Sequence, residues 1–307
     1  MDFADKHARC YLRPSPKMPT PSRSVLSTVH PPEELLAHPR FAAARAAFIE
    51  AVLAFHEGDQ FSSRLMVETM RQMTFNKIIA LHFGQDVTDR SSWPTPGRVK
   101  DELARFGLAS PRRLDALLAR LVQAGYVQSR PLEQDGRVRI LTPTPRMLAL
   151  DREWLVYNYV PLHVMFPGGY SEPMARDPAF QRAQRVVGRG FAANAAAIIA
   201  GNPAVMRFMH RDAGMLVLIK LIQMPDDRNG NGVSYTDLAA RFGVSRTHVR
   251  LLLQDAEQHG DVSLTADRKR MVKLKPSLLA AFDRFLADSM SAHDSMYRLA
   301  LERTRNV

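Results

Sequence analysis

Residues 240–252 read ARFGVSRTHVRLL. The phrase has the form of a helix end, a tight turn and the start of a second helix. Upstream, Ser234 with Asp237 three residues on is a capping-box pattern, which satisfies free N–H groups at a helix start. Leu238 and Phe242 then fall on one face, and Gly243 closes the helix. Ser245 is placed to cap the next helix, in which Val249, Leu252, Leu253 and Ala256 recur at i, i+3, i+4 and i+7, one apolar stripe. Gly260 ends it. Arg246, Thr247, His248, Arg250 and Gln254 are left facing outward. After Gly260 the run DVSLTADRKRMVKLKP alternates as two short strands, VSLT and RMVKL. Arg268, Lys269 and Arg270 cluster at its tip, with Lys273 further along. A helix–turn–helix followed by such a hairpin is the winged arrangement. It offers a helix N-terminus to base edges and basic side chains to phosphates.

The tetrapeptide ARFG also occupies residues 104–107, and the plan around it is the same. Thr95 and Pro96 supply a cap and a first-turn proline. Ser110 and Pro111 begin the second helix, with Leu114, Leu117, Leu118, Leu121 and Val122 as its expected core stripe. Arg112, Arg113, Asp115, Ala116 and Arg120 remain outside, and Gly125 terminates. YVQSR and RVRILT then form the expected hairpin around EQDG, with Arg137 and Arg139 basic. The flanking features repeat in order. Pro-x-Phe precedes an Ala- and Arg-rich stretch at both Ala37 and Ala175. Apolar helices follow at Phe75 and Met215, and LALDREWL at Leu148 matches LAAFDRFL at Leu279. The offset stays between about 131 and 140 throughout, which reads as two copies of one domain rather than short stacked units. The expected class is mainly α with small β-wings (α+β): tandem winged helices with long flanking helices, arising by internal duplication. The expected organisation is a flexible basic arm at 1–32, a first domain at 33–160, a linker at 161–174 and a second domain at 175–307. The arm follows from six prolines and five basic residues, and the linker from Pro161, Pro167 and the Gly168–Gly169 pair.

The bulk composition narrows the function classes. The chain has 307 residues, 46% of them hydrophobic, enough for packed cores. Its formal net charge is +11, and most of its 42 basic residues are arginine, whose planar fork suits phosphate and base-edge contacts. Residues 98–146 hold ten Lys/Arg against five Asp/Glu, and residues 241–275 hold eight against four, so the excess concentrates in the two helix–turn–helix regions. The single cysteine, Cys10, excludes an intrachain disulfide framework and a multi-cysteine zinc site. No signal-peptide core or membrane-length apolar run is present, so a cytoplasmic, nucleoid-associated protein is expected. The GRG at 188–190 lacks the rest of a dinucleotide fingerprint, no P-loop occurs, and His56, Glu57 and Asp59 read as a polar loop. No enzyme activity, cofactor or metal is expected.

This arrangement resembles the MarR type of bacterial transcription regulator over roughly residues 38–155 and 177–290. In that family two identical subunits dimerise through terminal helices, and each reads half of a near-palindromic operator. The resemblance implies a sequence-specific regulator of double-stranded DNA. Here both units lie in one chain, a single-chain pseudo-dimer that can also form a homodimer. Plasmid replication initiators resemble the same two-unit layout. A scaffold binding acidic proteins through degenerate winged helices is the reading without DNA. Residues 154–170, WLVYNYVPLHVMFPGGY, place Trp154, Tyr157, Tyr159, His163 and Phe166 together. They read either as the packed seam between the copies or as an effector pocket for a small aromatic molecule, the latter implied by the resemblance.

Overall fold

Three helices of this chain start on a short polar cap followed by proline or arginine. Ser110 accepts a bond from Arg113 N with Pro111 as the first helical residue, Asp177 accepts from Ala179 N at 2.7 Å ahead of Pro178, and Ser245 accepts from His248 N at 3.1 Å. The computed structural model describes residues 29–57, 69–104, 110–132, 135–223, 235–242, 244–264 and 272–305. In chain order these form α1 (Pro32–Ala37), α2 (Phe41–Glu57), α3 (Thr69–Phe83), α4 (Pro96–Ala104), α5 (Pro111–Gln123), β1 (Val127–Leu132), β2 (Asp135–Pro143) and α6 (Pro145–Met165). There follow α7 (Ser171–Met174), α8 (Pro178–Val187), α9 (Ala192–Gly201), α10 (Pro203–Met209), α11 (Gly214–Gln223), α12 (Tyr235–Phe242), α13 (Arg246–Gln258), β3 (Val262–Leu264), β4 (Val272–Leu274) and α14 (Pro276–Arg305). The described residues are thus mainly helical, with two small antiparallel sheets of two strands each.

The chain divides into two compact units that cut across the expected boundaries at 33–160 and 175–307. Unit 1 comprises Met1–Glu68, Tyr157–Ser171 and Ile198–Asp294; unit 2 comprises Thr69–Val156, Glu172–Ala197 and Ser295–Val307. Each therefore combines segments from both halves of the sequence. In unit 2, α8 from the second half packs on α3 from the first. In unit 1, α2 from the first half packs on α11 from the second. The first long helix of each half thus packs in the unit that holds the other half's hairpin. The expected linker also differs: α6 runs through Pro161 to Met165, and the chain turns only at Phe166–Tyr170, where Gly168 has φ 88° and Tyr170 φ 58°. The long second leading helix expected after Ala175 is broken into α8 and α9 by a 3-10 turn at Gly188–Phe191.

In unit 2 this packing centres on a charge. Asp151 on α6 is fully buried and receives Arg185 of α8 through Nε at 3.0 Å and through Nη2. Gln181 Nε2, one turn earlier on α8, donates to the same carboxylate at 2.7 Å. The guanidinium also lies over the Trp154 ring at 4.4 Å. Unit 1 has a comparable pair, Arg45 of α2 with Asp283 of α14 at 2.5 Å. Around these pairs the cores close: Phe75, Ile78, Ile79, Tyr126 and Phe180 in unit 2, and Val217, Leu218, Val249, Leu253 and Phe282 in unit 1, each at most 1% exposed.

Replacing Asp151 by Ala should cost about 3–5 kcal/mol, because Arg185 stays buried without its counter-charge. The double variant Asp151→Leu with Arg185→Met should recover much of that loss. Urea unfolding measures both, and a double variant as unstable as the single one would contradict this account. A pH effect follows from His82 on α3. Burial, and then the charge of Arg182 on α8, hold its pKa below the usual imidazole value. The unfolded chain therefore takes up the proton first, so stability is complete above about pH 6.5 and is lost as pH falls below it. The melting temperature should drop between pH 7.5 and pH 5, and His82→Gln should reduce that drop.

Candidate nucleic-acid interface

Two helices, α5 and α13, stand where the sequence places base-reading side chains, and their frames coincide at an offset of 135. Each has a serine N-cap, Ser110 or Ser245. Leu114, Leu117, Leu118 and Leu121 are buried in one, and Val249, Leu252, Leu253 and Ala256 in the other. Each ends in a glycine in the left-handed region, Gly125 at φ 74° and Gly260 at φ 76°. The closing bonds match as well. Tyr126 N donates to Leu121 O and Gly125 N to Val122 O, while Asp261 N donates to Ala256 O and Gly260 N to Glu257 O, all at 2.9–3.0 Å. A hairpin follows each helix, tied at its base by Thr144 N to Tyr126 O and by Lys275 N to Asp261 O. In β1–β2, Val127 pairs with Pro143 and Pro131 with Arg139; in β3–β4, Val262 pairs with Leu274. Leu141 N further donates to Pro94 O, which lays the segment before α4 against the β1–β2 hairpin. Val122, expected in the core stripe, is 38% exposed instead, because the stripe is already complete at Leu121.

On α5 the side chains of Arg112, Arg113, Asp115 and Arg120 are exposed; on α13, Arg246, Thr247 and Arg250 are exposed, and His248 and Gln254 are half-buried. Several are tethered. Lys100 Nζ on α4 meets Asp115 Oδ1 at 2.9 Å. Thr236 Oγ1 on α12 accepts from Arg246 Nε at 3.0 Å. The His248 ring nitrogen Nε2 lies 2.8 Å from Asp212 O. Lys100 and Thr236, not singled out from the sequence, occupy one place, four residues before the alanine of each ARFG phrase. On the β1–β2 hairpin Arg137 and Arg139 are exposed, with the Arg139 guanidinium folded onto Ser129 through Nε at 2.9 Å. Lys273 on β4 is exposed. Arg268, Lys269 and Arg270 lie outside the described residues.

The aromatic set of 154–170 divides between the two units, and within unit 1 Tyr159 and Phe166 both pack on Tyr170. Trp154 belongs to unit 2, where it carries the Arg185 guanidinium. The other four belong to unit 1. Tyr157 packs edge-on against Phe48 and Phe55, and Tyr159 is buried with its hydroxyl donating to His293 O at 3.1 Å. His163 Nδ1 lies 2.8 Å from Gly169 O, and Phe166 stacks on His30 at 4.1 Å. Among the described residues no group of three or more His, Cys, Asp or Glu is placed to hold a metal ion, and no helix is long and apolar enough to cross a membrane. His56 Nδ1 lies 2.9 Å from Val52 O within α2; the side chain of Glu57, and Asp59, lie outside the described residues.

No protein-family model, curated protein or solved structure matches the chain.

The equivalence of the two helix ends has a measurable consequence. A Cβ at Gly125 or Gly260 meets nothing within 4 Å, so substitution strains only the backbone. Gly125→Ala and Gly260→Ala should each cost roughly 1–2 kcal/mol in chemical unfolding. A cost at one site and none at the other would mean that the two ends are not alike.

Proposed function

We propose that the chain is a sequence-specific regulator of double-stranded DNA, a MarR-like single-chain pseudo-dimer in which α4–α5–β1–β2 and α12–α13–β3–β4 are two winged helices derived by duplication. The observation that carries this reading is the recurrence of one capped, glycine-terminated helix and hairpin, each with outward arginines in its first turns: Arg112 and Arg113 on α5, Arg246 and Arg250 on α13. In a winged helix that end of the second helix enters the major groove, where an arginine donates two parallel bonds to guanine. The hairpin cations Arg137, Arg139 and Lys273 would bind phosphates, which position the protein without reading sequence. One such unit discriminates poorly. Two in one chain make the second binding event intramolecular and so raise the overall affinity.

The two groups of residues should fail differently in a mobility-shift assay. Arg250→Ala, and Arg112→Ala with Arg113→Ala, should each remove roughly 1–3 kcal/mol of preference for the cognate over a scrambled duplex. Neutralising Arg137, Arg139 and Lys273 should weaken all duplexes together. It should also flatten the plot of log affinity against log salt by about 0.9 for each phosphate that the protein no longer neutralises. Unchanged discrimination in both helix variants would refute the assignment of α5 and α13.

A further inference from the structure

The frames of α5 and α13 are the same, while the charge is opposed at two equivalent positions. With the caps at 110 and 245 and the glycines at 125 and 260 superposed in sequence, Asp115 stands where α13 has Arg250, and Arg120 stands where α13 has Asp255. Position 115/250 follows the first buried residue of the stripe, Leu114 or Val249, and both of its side chains are exposed. On α5 this carboxylate stands beside the exposed arginines Arg112 and Arg113. A carboxylate brought among phosphates is repelled unless a cation accompanies it. Lys100 is that cation: its Nζ is 2.9 Å from Asp115 Oδ1, yet the Asp115 side chain stays 55% exposed.

We infer that Asp115 and Arg250 are specificity-determining residues with opposite preferences, which makes the two half-sites unlike; this rests on the DNA-binding function proposed above. The chemistry is fixed by donors and acceptors. Guanine presents two acceptors in the major groove, O6 and N7, which suit the donors of Arg250 and repel a carboxylate. Cytosine presents the N4 amino donor, which suits Asp115. Read along each second helix in the same sense, one half-site carries guanine where the other carries cytosine. The operator then has a direction, which no pair of identical subunits can impose. Lys100 acts through Asp115 as a positioning residue, lowering the carboxylate's repulsion without itself choosing the base.

Selection of duplexes from a randomised pool by the full chain, followed by sequencing, tests this. The wild type should enrich a site with two unlike halves. Asp115→Arg should change one position of one half from cytosine to guanine, and Arg250→Asp should make the reverse change in the other half. Each preference should shift by roughly five- to 150-fold. Lys100→Met should weaken binding while leaving the consensus as it was. A wild-type site with two identical halves, or a consensus that Asp115→Arg leaves unaltered, would overturn the inference while leaving the DNA-binding function standing. Failure of the wild type to enrich any sequence would overturn both.

Discussion

Asp151 is shut off from water, and a carboxylate in that position is tolerated only with a counter-charge and hydrogen bonds beside it. Its partners are Arg185 and Gln181, which lie on the far side of the bend at Phe166–Tyr170 and open the second half of the sequence. Unit 2 therefore cannot be completed by the first half of the chain. In unit 1 the half-buried pair Arg45–Asp283 runs the other way, with the arginine from the first half and the carboxylate from the second. These pairings tie each leading helix to a hairpin module from the other half of the sequence. Each compact unit thus draws its segments from both halves of the sequence.

Each second helix is fixed from behind by four buried residues, a serine cap and a left-handed glycine, all identical in role. None of these constraints reaches positions 112, 113, 115, 246, 247 or 250. Their side chains can differ at small cost in stability, and they do differ. What holds them is local: Lys100 on α4 and Thr236 on α12 reach one outward residue each from the same place on the preceding helix.

Local features are legible in the sequence because they are written within a few residues. The caps Ser110 and Ser245, both apolar stripes apart from Val122, the two strand pairs and the glycines Gly125 and Gly260 follow from 3.6- and 2-residue periodicities and from turn chemistry. The pairing of each leading helix with the other half's hairpin is not legible, since an amphipathic helix states that it has an apolar face and not which helix covers it. Its trace is polar: Asp151 on α6, and Gln181, Gln184 and Arg185 among the buried residues of α8. The expected linker fails for a related reason. Pro161 has the form of a boundary, yet α6 continues through it because burial of Leu155, Tyr159 and Leu162 holds the helix on both sides. Trp154, Tyr157 and Tyr159 form one aromatic cluster along the chain, but Trp154 belongs to unit 2 and the two tyrosines to unit 1.

The central claim is that a single chain carries two working DNA-reading units. The mass of the complex between the full chain and its selected duplex, determined in solution alongside hydroxyl-radical footprinting, tests it most directly. The account predicts one chain per duplex with two protected half-sites, one abolished on substituting Arg112 and Arg113 and the other on substituting Arg250. Two chains on a perfect palindrome, with protection that depends on only one of the two helices, would contradict it.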